Sequence, residues 1–332
     1  MNQKATARAH ANIAFIKYWG NTNEDLRLPE NSSFSMNMDG LYTETTVIWD
    51  EAQDKDSLVL NDQPQTGQAL ERVNKHLDRL RERVTGLNGH AAVISQNNFP
   101  MGAGIGSSAS SFAALTVAAI GAAGITLPEK VLTSLARLGS GSASRSIPTG
   151  FVEWHKGDSH ESSYAVSIAG PEYWDLVDVI AVVSDSHKKV GSTEGHQSAH
   201  TGDLQTGRLM HVKDRLKVCK QAFLDHNFQL FAEVIEEDSN LMHAVMMTSR
   251  PPLFYWEPAS VAVMQAVKQW RNDGLQVCYT LDAGPNVHCI CVRKDANQVI
   301  NGLKTLSGIL DVRVAGAGVG ARLISDDEVN SQ

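Results

Sequence analysis

The segment Phe99-Pro100-Met101-Gly102-Ala103-Gly104-Ile105-Gly106-Ser107-Ser108-Ala109-Ser110 constrains this chain more than any other. An apolar strand pattern ends there, three glycines alternate with other residues, and an alanine-rich helical pattern follows. Glycines so placed let backbone N–H groups approach an anion where a Cβ would obstruct. The serines open a helix whose first amides lack intrahelical partners and whose dipole is positive, so a polyphosphate is the natural ligand. An ordinary strand-to-helix turn has similar local composition, and the rest of the chain has to decide between them.

Neither common nucleotide fingerprint fits. Gly102, Gly104 and Gly106 have the wrong third spacing for a dinucleotide site, and no acidic residue ends a strand about 20 residues on. No Gly-Lys-Ser or Gly-Lys-Thr occurs, which excludes a Walker loop. At 332 residues and 42% apolar content, the chain can form one large domain or two ordinary ones. A net charge of −8 without a basic run argues against a nucleic-acid partner. No stretch reaches the ~18 apolar residues of a membrane helix, and Met1-Asn2-Gln3-Lys4 lacks a signal-peptide core. A cytoplasmic protein with no membrane partner is therefore expected. Cys219, Cys278, Cys289 and Cys291 show no zinc pattern and read as small core residues.

Residues 5–16 read as a strand ending in Lys17-Tyr18-Trp19-Gly20. An ammonium beside two aromatics suits a pocket lip, although a snorkelling lysine between half-buried rings has the same signature. Residues 31–36 read as a polar loop, 42–49 and 57–60 as strands, 68–83 as a half-exposed helix, and 91–95 as the strand entering the glycine loop. Residues 110–123 are too continuously apolar for a surface helix and are expected beneath a sheet. Pro128 begins a helix that runs through Arg137. The small residues of 139–146, with Arg145 among them, predict a second anion loop leading into a strand at 151–154. Residues 176–184 read as a buried strand, after which Ser192 caps a helix. The pattern from 202 to 267 is mainly helical. This shift divides the chain into an N-terminal part, 1–184, and a C-terminal part, 185–332. Asp282-Ala283-Gly284-Pro285-Asn286 forms a turn of residue types that make turns without catalytic duty. A strand at 287–292, a helix at 296–305 and a third glycine turn at 314–321 complete the chain.

Across nearly its whole length the sequence resembles the GHMP small-molecule kinase superfamily and, within it, the mevalonate diphosphate and phosphomevalonate decarboxylases. The resemblance is carried by Asn12-Ile13-Ala14-Phe15-Ile16-Lys17-Tyr18-Trp19-Gly20, by Asn97 to Ala109, by Ser140-Gly141-Ser142-Ala143-Ser144-Arg145-Ser146 with Gly150 to Trp154, and by the Asp282 turn. It implies an α+β, GHMP-type two-part α/β fold: an N-terminal part like ribosomal protein S5 domain 2 with a left-handed crossover, and a ferredoxin-like C-terminal part. It also implies ATP and Mg²⁺, a phosphorylated mevalonate as small-molecule substrate, and a homodimer.

By the same resemblance Asp282 deprotonates the C3 hydroxyl, Lys17 stands beside the reacting groups, Arg145 holds the carboxylate and Ser192 approaches the reacting centre. Tyr18, Ser140 and Ser142 contact the substrate's phosphate end. ATP is assigned to Ser95, Asn97, Pro100, Gly102, Gly104, Gly106, Ser107 and Ser108, with Ser107 also on the metal. The family usually carries a lysine where Asn21 stands, and many bacterial members carry an arginine where Thr193 stands. Both missing cations belong to the diphosphate side, so the sequence favours mevalonate 5-phosphate unless Lys188, Lys189 or His196 compensates. A GHMP kinase without decarboxylation and a catalytically silent nucleotide-binding protein are the alternatives.

Overall fold

The first strand sets the architecture, because its alternating small and apolar residues pair along most of the longest strand that follows. The computed structural model describes residues 3–99, 106–184 and 191–329. Strand β1 (Gln3–Ile16) is followed by a short hairpin, β2 (Asn21–Asn23) and β3 (Leu28–Pro29). It runs antiparallel to β4 (Ser33–Asp50), with register shifts at His10/Asn12 and Ala14/Ile16. Such bulges re-aim side chains and recur beside active sites. Next come β5 (Ser57–Leu60), β6 (Gln63–Pro64), α1 (Gln68–Arg83) and β7 (His90–Asn97). β5 lies parallel to β7, and α1 lies in the crossover that joins them. Helices α2 (Ser107–Ala122) and α3 (Glu129–Gly139) follow, then a 3₁₀ turn (Gly141–Ser146), β8 (Phe151–Trp154) and β9 (Ala165–Ala169). Helix α2 is buried along most of its length, as its unbroken apolar composition predicts.

The second sheet opens with β10 (Leu176–Val182). Then come α4 (Ser192–Gln197), α5 (Leu204–Leu224), α6 (Phe228–Thr248), α7 (Pro258–Asn272), β11 (Val277–Thr280), β12 (Val287–Val292), α8 (Ala296–Thr305) and β13 (Asp311–Gly316). Strand β14 (Arg322–Ile324) and α9 (Asp326–Val329) end the described chain. The strand order β11-β12-β10-β13, antiparallel throughout, with helices after the first and third strands, is ferredoxin-like. Sheet pairing crosses the 184/185 division: β10 belongs to the second sheet, and β14 returns to pair with β1.

Period-two alternation in β10 sends its side chains to two different cores. Val177, Val179 and Ala181 meet Val263 and Val267 of α7 and Val299 and Leu303 of α8. Leu176, Ile180 and Val182 face a core shared with the first sheet, where Phe15, Phe34, Phe151, Phe223 and Phe231 converge. Among the described residues no helix is long and apolar enough to cross a membrane.

Three local expectations need correction. The 31–36 loop is strand from Ser33 onward, because the small Ser33 and Ser35 are fully buried between β1 and β8. The second anion loop is regular: Gly139 closes α3, and 141–146 form the 3₁₀ turn. The third glycine turn begins only after Gly316, since 314–316 pair within β13.

Phe15 lies 5.6 Å from Phe34 of β4 and 5.0 Å from Phe231 of α6, ring centre to ring centre, and packs the first sheet against that helix in the core it shares with β10. Phe15→Ala is expected to cost ~3–5 kcal/mol in urea unfolding. A loss below ~1 kcal/mol would show that the shared core does not couple the two parts.

Candidate active site

The bulged end of β1 delivers Lys17, Tyr18 and Trp19 into the space between the sheets. The Lys17 Nζ lies 2.7 Å from Asp282 Oδ1, joining residues 265 apart in sequence. The lysine side chain is 1% exposed and the aspartate 28%, so the pair is sealed from behind and open to a cleft in front. Burial pulls the Lys17 ammonium below the ordinary lysine value, against the opposing pull of Asp282. Burial alone would raise the Asp282 carboxyl. The charges of Lys17 and His288, with the direct hydrogen bond, outweigh it and hold the carboxyl below its usual range. His288 is itself fully buried against Asp178 at 2.6 Å, and that carboxylate outweighs burial to raise the imidazole.

The Asp282 turn is fixed from three sides. The Leu281 amide donates to Ser239 Oγ, the Ser260 hydroxyl donates to the Pro285 carbonyl, and Asn286 Oδ1 accepts from the amides of Val183 and Ser184. Arg145 is 3% exposed. Its Nε donates to Asn12 Oδ1 at 3.2 Å and its Nη1 to Ser33 Oγ at 2.9 Å. Burial lowers the guanidinium to about 10, so it stays charged at neutral pH. Asn12 also donates to the Ser142 carbonyl and to Ser146 Oγ, tying the 3₁₀ turn to β1.

Lys17, Arg145, Asp282, Tyr18, Ser142 and His196 line a small cavity of about 70 Å³. It adjoins a cleft of about 960 Å³ that reaches Ser95, Gly106, Ser107 and Ser108 at its far end and Ser140, Ser142 and Asp282 at its near end. Gly106 has φ 77°, and a Cβ there would lie 3.0 Å from the Asn12 carbonyl, so only glycine fits. Asn97 Oδ1 accepts from Thr43 Oγ1, while its buried Nδ2 has no partner among the described residues. Ser192 is the first residue of α4, and its side chain, like that of Thr193, lies outside the described residues. Pro100, Gly102, Gly104, Lys188 and Lys189 also lie outside them.

Several functional groups escaped the sequence reading. Arg27, Arg72 and Lys75 line the cleft, and Arg72 Nη2 donates to Ser108 Oγ at 3.3 Å. Arg208 and Asp238 grip the Lys17 peptide from α5 and α6: the Lys17 amide donates to Asp238 Oδ2 at 2.7 Å, and Arg208 Nη2 donates to the Lys17 carbonyl at 2.7 Å. Charged residues in mid-helix read as a solvated face, so no sequence signal marks this pair.

The donor set at the far end suits a nucleotide: serine hydroxyls, a helix N-terminus and arginine. No cluster of three His, Cys, Asp or Glu side chains able to hold a metal occurs among the described residues. A Mg²⁺ ion here would therefore be held by phosphate oxygens with few protein ligands, Ser107 among them, the usual arrangement for that ion.

The pairing of two α/β units around this cleft defines a GHMP-type fold. Residues 9–165 match the diphosphomevalonate decarboxylase-like N-terminal domain, and residues 178–314 match the mevalonate 5-diphosphate decarboxylase C-terminal domain. The diphosphomevalonate decarboxylase of Candida albicans is 40% identical over 314 residues, covering 89% of this chain and 85% of that protein. The crystal structure of mevalonate diphosphate decarboxylase from Staphylococcus aureus superposes with a TM-score of 0.93 at 38% identity, covering 98% of this chain and 99% of that one. A related complex with MVAPP, AMPPCP and magnesium superposes with a TM-score of 0.92 at 37% identity, covering 98% and 100%. The chain belongs to the diphosphomevalonate decarboxylase family.

Removing the ammonium should leave burial at Asp282 opposed only by the more distant charges of His288 and Arg145. In Lys17→Met the Asp282 carboxyl is expected to titrate higher than in the wild type, read by carboxyl ¹³C NMR. An unchanged midpoint would remove Lys17 as the group that keeps this carboxylate ionised.

Proposed function

We propose that this enzyme catalyses the ATP-dependent decarboxylation of mevalonate 5-diphosphate to isopentenyl diphosphate, ADP, phosphate and CO₂. The observation that carries the reading is the 2.7 Å Lys17–Asp282 pair at the near end of a cleft whose far end is the N-terminus of α2. ATP with Mg²⁺ supplies the phosphoryl group that turns the C3 hydroxyl into a leaving group. Asp282, kept ionised by Lys17, takes the hydroxyl proton as the C3 oxygen attacks that phosphoryl group. Arg145 holds the C1 carboxylate, and its bonds to Asn12 and Ser33 fix the guanidinium plane. Once phosphate departs from C3, the C1–C2 bonding electrons form the alkene and CO₂ leaves. Ser192 approaches the reacting centre, while Ser95, Asn97 and the glycine loop, Pro100, Gly102 and Gly104 included, hold ATP. The cytoplasmic, homodimeric form and the division at 184/185 belong to this reading.

The choice of diphosphate over monophosphate rests on where the cations lie. Asn21 is 7% exposed, with its amide bonded to Tyr18 and Glu24, so it takes little part in the cleft wall. Arg27 and Arg72 line that wall instead, with Arg27 sharing it with Tyr18, Ser140 and Ser142. They supply the positive charge that Asn21 and Thr193 do not.

ADP release measured with mevalonate, mevalonate 5-phosphate and mevalonate 5-diphosphate tests the reading. The diphosphate is expected to lead in kcat/KM by at least ~10-fold, worth ~1.4 kcal/mol, with one CO₂ per ADP. A monophosphate preference would overturn the substrate, and ADP without CO₂ would leave a kinase. Asp282→Asn should lower kcat by ~10² or more while nucleotide binding persists. In Arg145→Lys a point charge replaces the planar fork, and kcat/KM should fall ~10–100-fold; an unchanged value would move the carboxylate site elsewhere.

A further inference from the structure

The small cavity beside the Lys17–Asp282 pair is not lined by charge alone. Lys17, Arg145 and Asp282 meet an apolar patch there, made by Trp19, Met242 and Ala283, which pack together in one buried cluster. At about 70 Å³, against about 960 Å³ for the adjoining cleft, the cavity has room for the groups around one carbon and not for a whole substrate.

Helix α6 fixes the place of this patch relative to the charged pair. Asp238, Ser239 and Met242 stand at i, i+1 and i+4 along the helix and share one face. Asp238 accepts the Lys17 amide at 2.7 Å, and Ser239 Oγ accepts the Leu281 amide at 3.0 Å. One helix face therefore holds the peptide that carries the ammonium, the turn that carries the carboxylate, and the thioether of the wall they share. Methionine is flexible and ordinarily yields to a larger neighbour. Here Met242 is 2% exposed, and Val245, Met246 and Leu253 are buried in the same cluster, which leaves the side chain little room to retreat.

Carbon 3 of mevalonate bears four groups: the hydroxyl, the arm ending in the carboxylate, the arm ending in phosphate, and a methyl. Asp282 takes the first, Arg145 the second and the cleft the third. The methyl gains nothing from a charged wall and is stabilised by leaving water for an apolar one. We infer that Met242, in the patch it forms with Trp19 and Ala283, seats the C3 methyl group and sets the size of the alkyl group the enzyme accepts at that carbon. This rests on the reading of the cleft as the site of a phosphorylated mevalonate.

The test compares mevalonate 5-diphosphate with its homologue carrying ethyl in place of methyl at C3. An ethyl group supports developing charge at C3 much as a methyl does, so the comparison reads space. Taking the ratio of the two kcat/KM values, from ADP release on one enzyme preparation, cancels the folded fraction. The wild type is expected to prefer the methyl compound at least ~10-fold, the usual discrimination for one extra methylene in a closed apolar pocket. Met242→Ala should narrow that ratio at least ~5-fold, and Met242→Val, which shortens the side chain at less cost to the core, should move it the same way. Met242→Leu keeps the volume and should hold the ratio within about threefold of wild type. A wild-type preference below ~10-fold would overturn the assignment, as would a ratio left unchanged by both shortened side chains or narrowed equally by Met242→Leu. A wild-type enzyme that releases no ADP with any phosphorylated mevalonate would instead sink the functional reading itself.

Discussion

The peptide of Lys17 is held by charge that has no access to water. Asp238, fully buried, accepts the Lys17 amide on one carboxylate oxygen and the Arg215 Nε on the other, at 2.7 and 2.9 Å. Arg208 donates to the Lys17 carbonyl and lies 3.8 Å from Asp238, and Asn31 Nδ2 donates to the same carbonyl at 2.8 Å. Two buried ions repay their desolvation only through close geometry and full hydrogen bonding. Helices α5 and α6 must therefore sit against the end of β1 in one way, and the ammonium follows. Since Asp282 comes from a turn of the second sheet, this clamp helps set the 2.7 Å contact between them.

Arg145 obeys the same logic with a different outcome. Its guanidinium is buried, and the partners on Nε and Nη1 are neutral oxygens of Asn12 and Ser33. Nη2 takes no part in either bond. A buried cation met by neutral acceptors is electrostatically under-compensated, a state suited to an anionic ligand. The site thus contains one pair that is already neutralised, Lys17 with Asp282, and one cation held for an anionic ligand. That division suits a reaction in which a base must stay ionised while a carboxylate is gripped until it departs.

Much of the fold was legible because it rests on local periodicity. Helix α1 occupies the predicted 68–83, α8 the predicted 296–305, and the unbroken apolar run of α2 is buried as expected. The misreading of 31–36 has a local cause: Ser33 and Ser35 look like loop residues, but their small side chains fit a strand paired on both edges. The site was less legible. Nothing in composition or spacing links Lys17 to Asp282 across 265 residues, and only the resemblance of whole motifs did so. Asp178 and His288 read as ordinary strand residues, and Arg208, Arg215 and Asp238 as helix surface. Their burial is decided by tertiary packing, which period and composition do not encode.

Net charge misleads at the cleft. The chain carries −8 overall, yet Arg27 and Arg72 line one wall. Arg27 Nε and Arg79 Nη1 both donate to the Leu138 carbonyl, at 3.0 and 2.6 Å, bringing two guanidiniums onto one acceptor. Burial and then the charge of Arg27 push the Arg72 and Arg79 guanidiniums below their ordinary values, the mark of like charges crowded together. Such crowding costs stability, and an anion placed among these guanidiniums would relieve it. Low-dielectric walls lengthen the reach of that field. The Leu138 carbonyl thus sets Arg27 beside Arg79, and local placement of cations, not net charge, decides the sign of the field at this cleft.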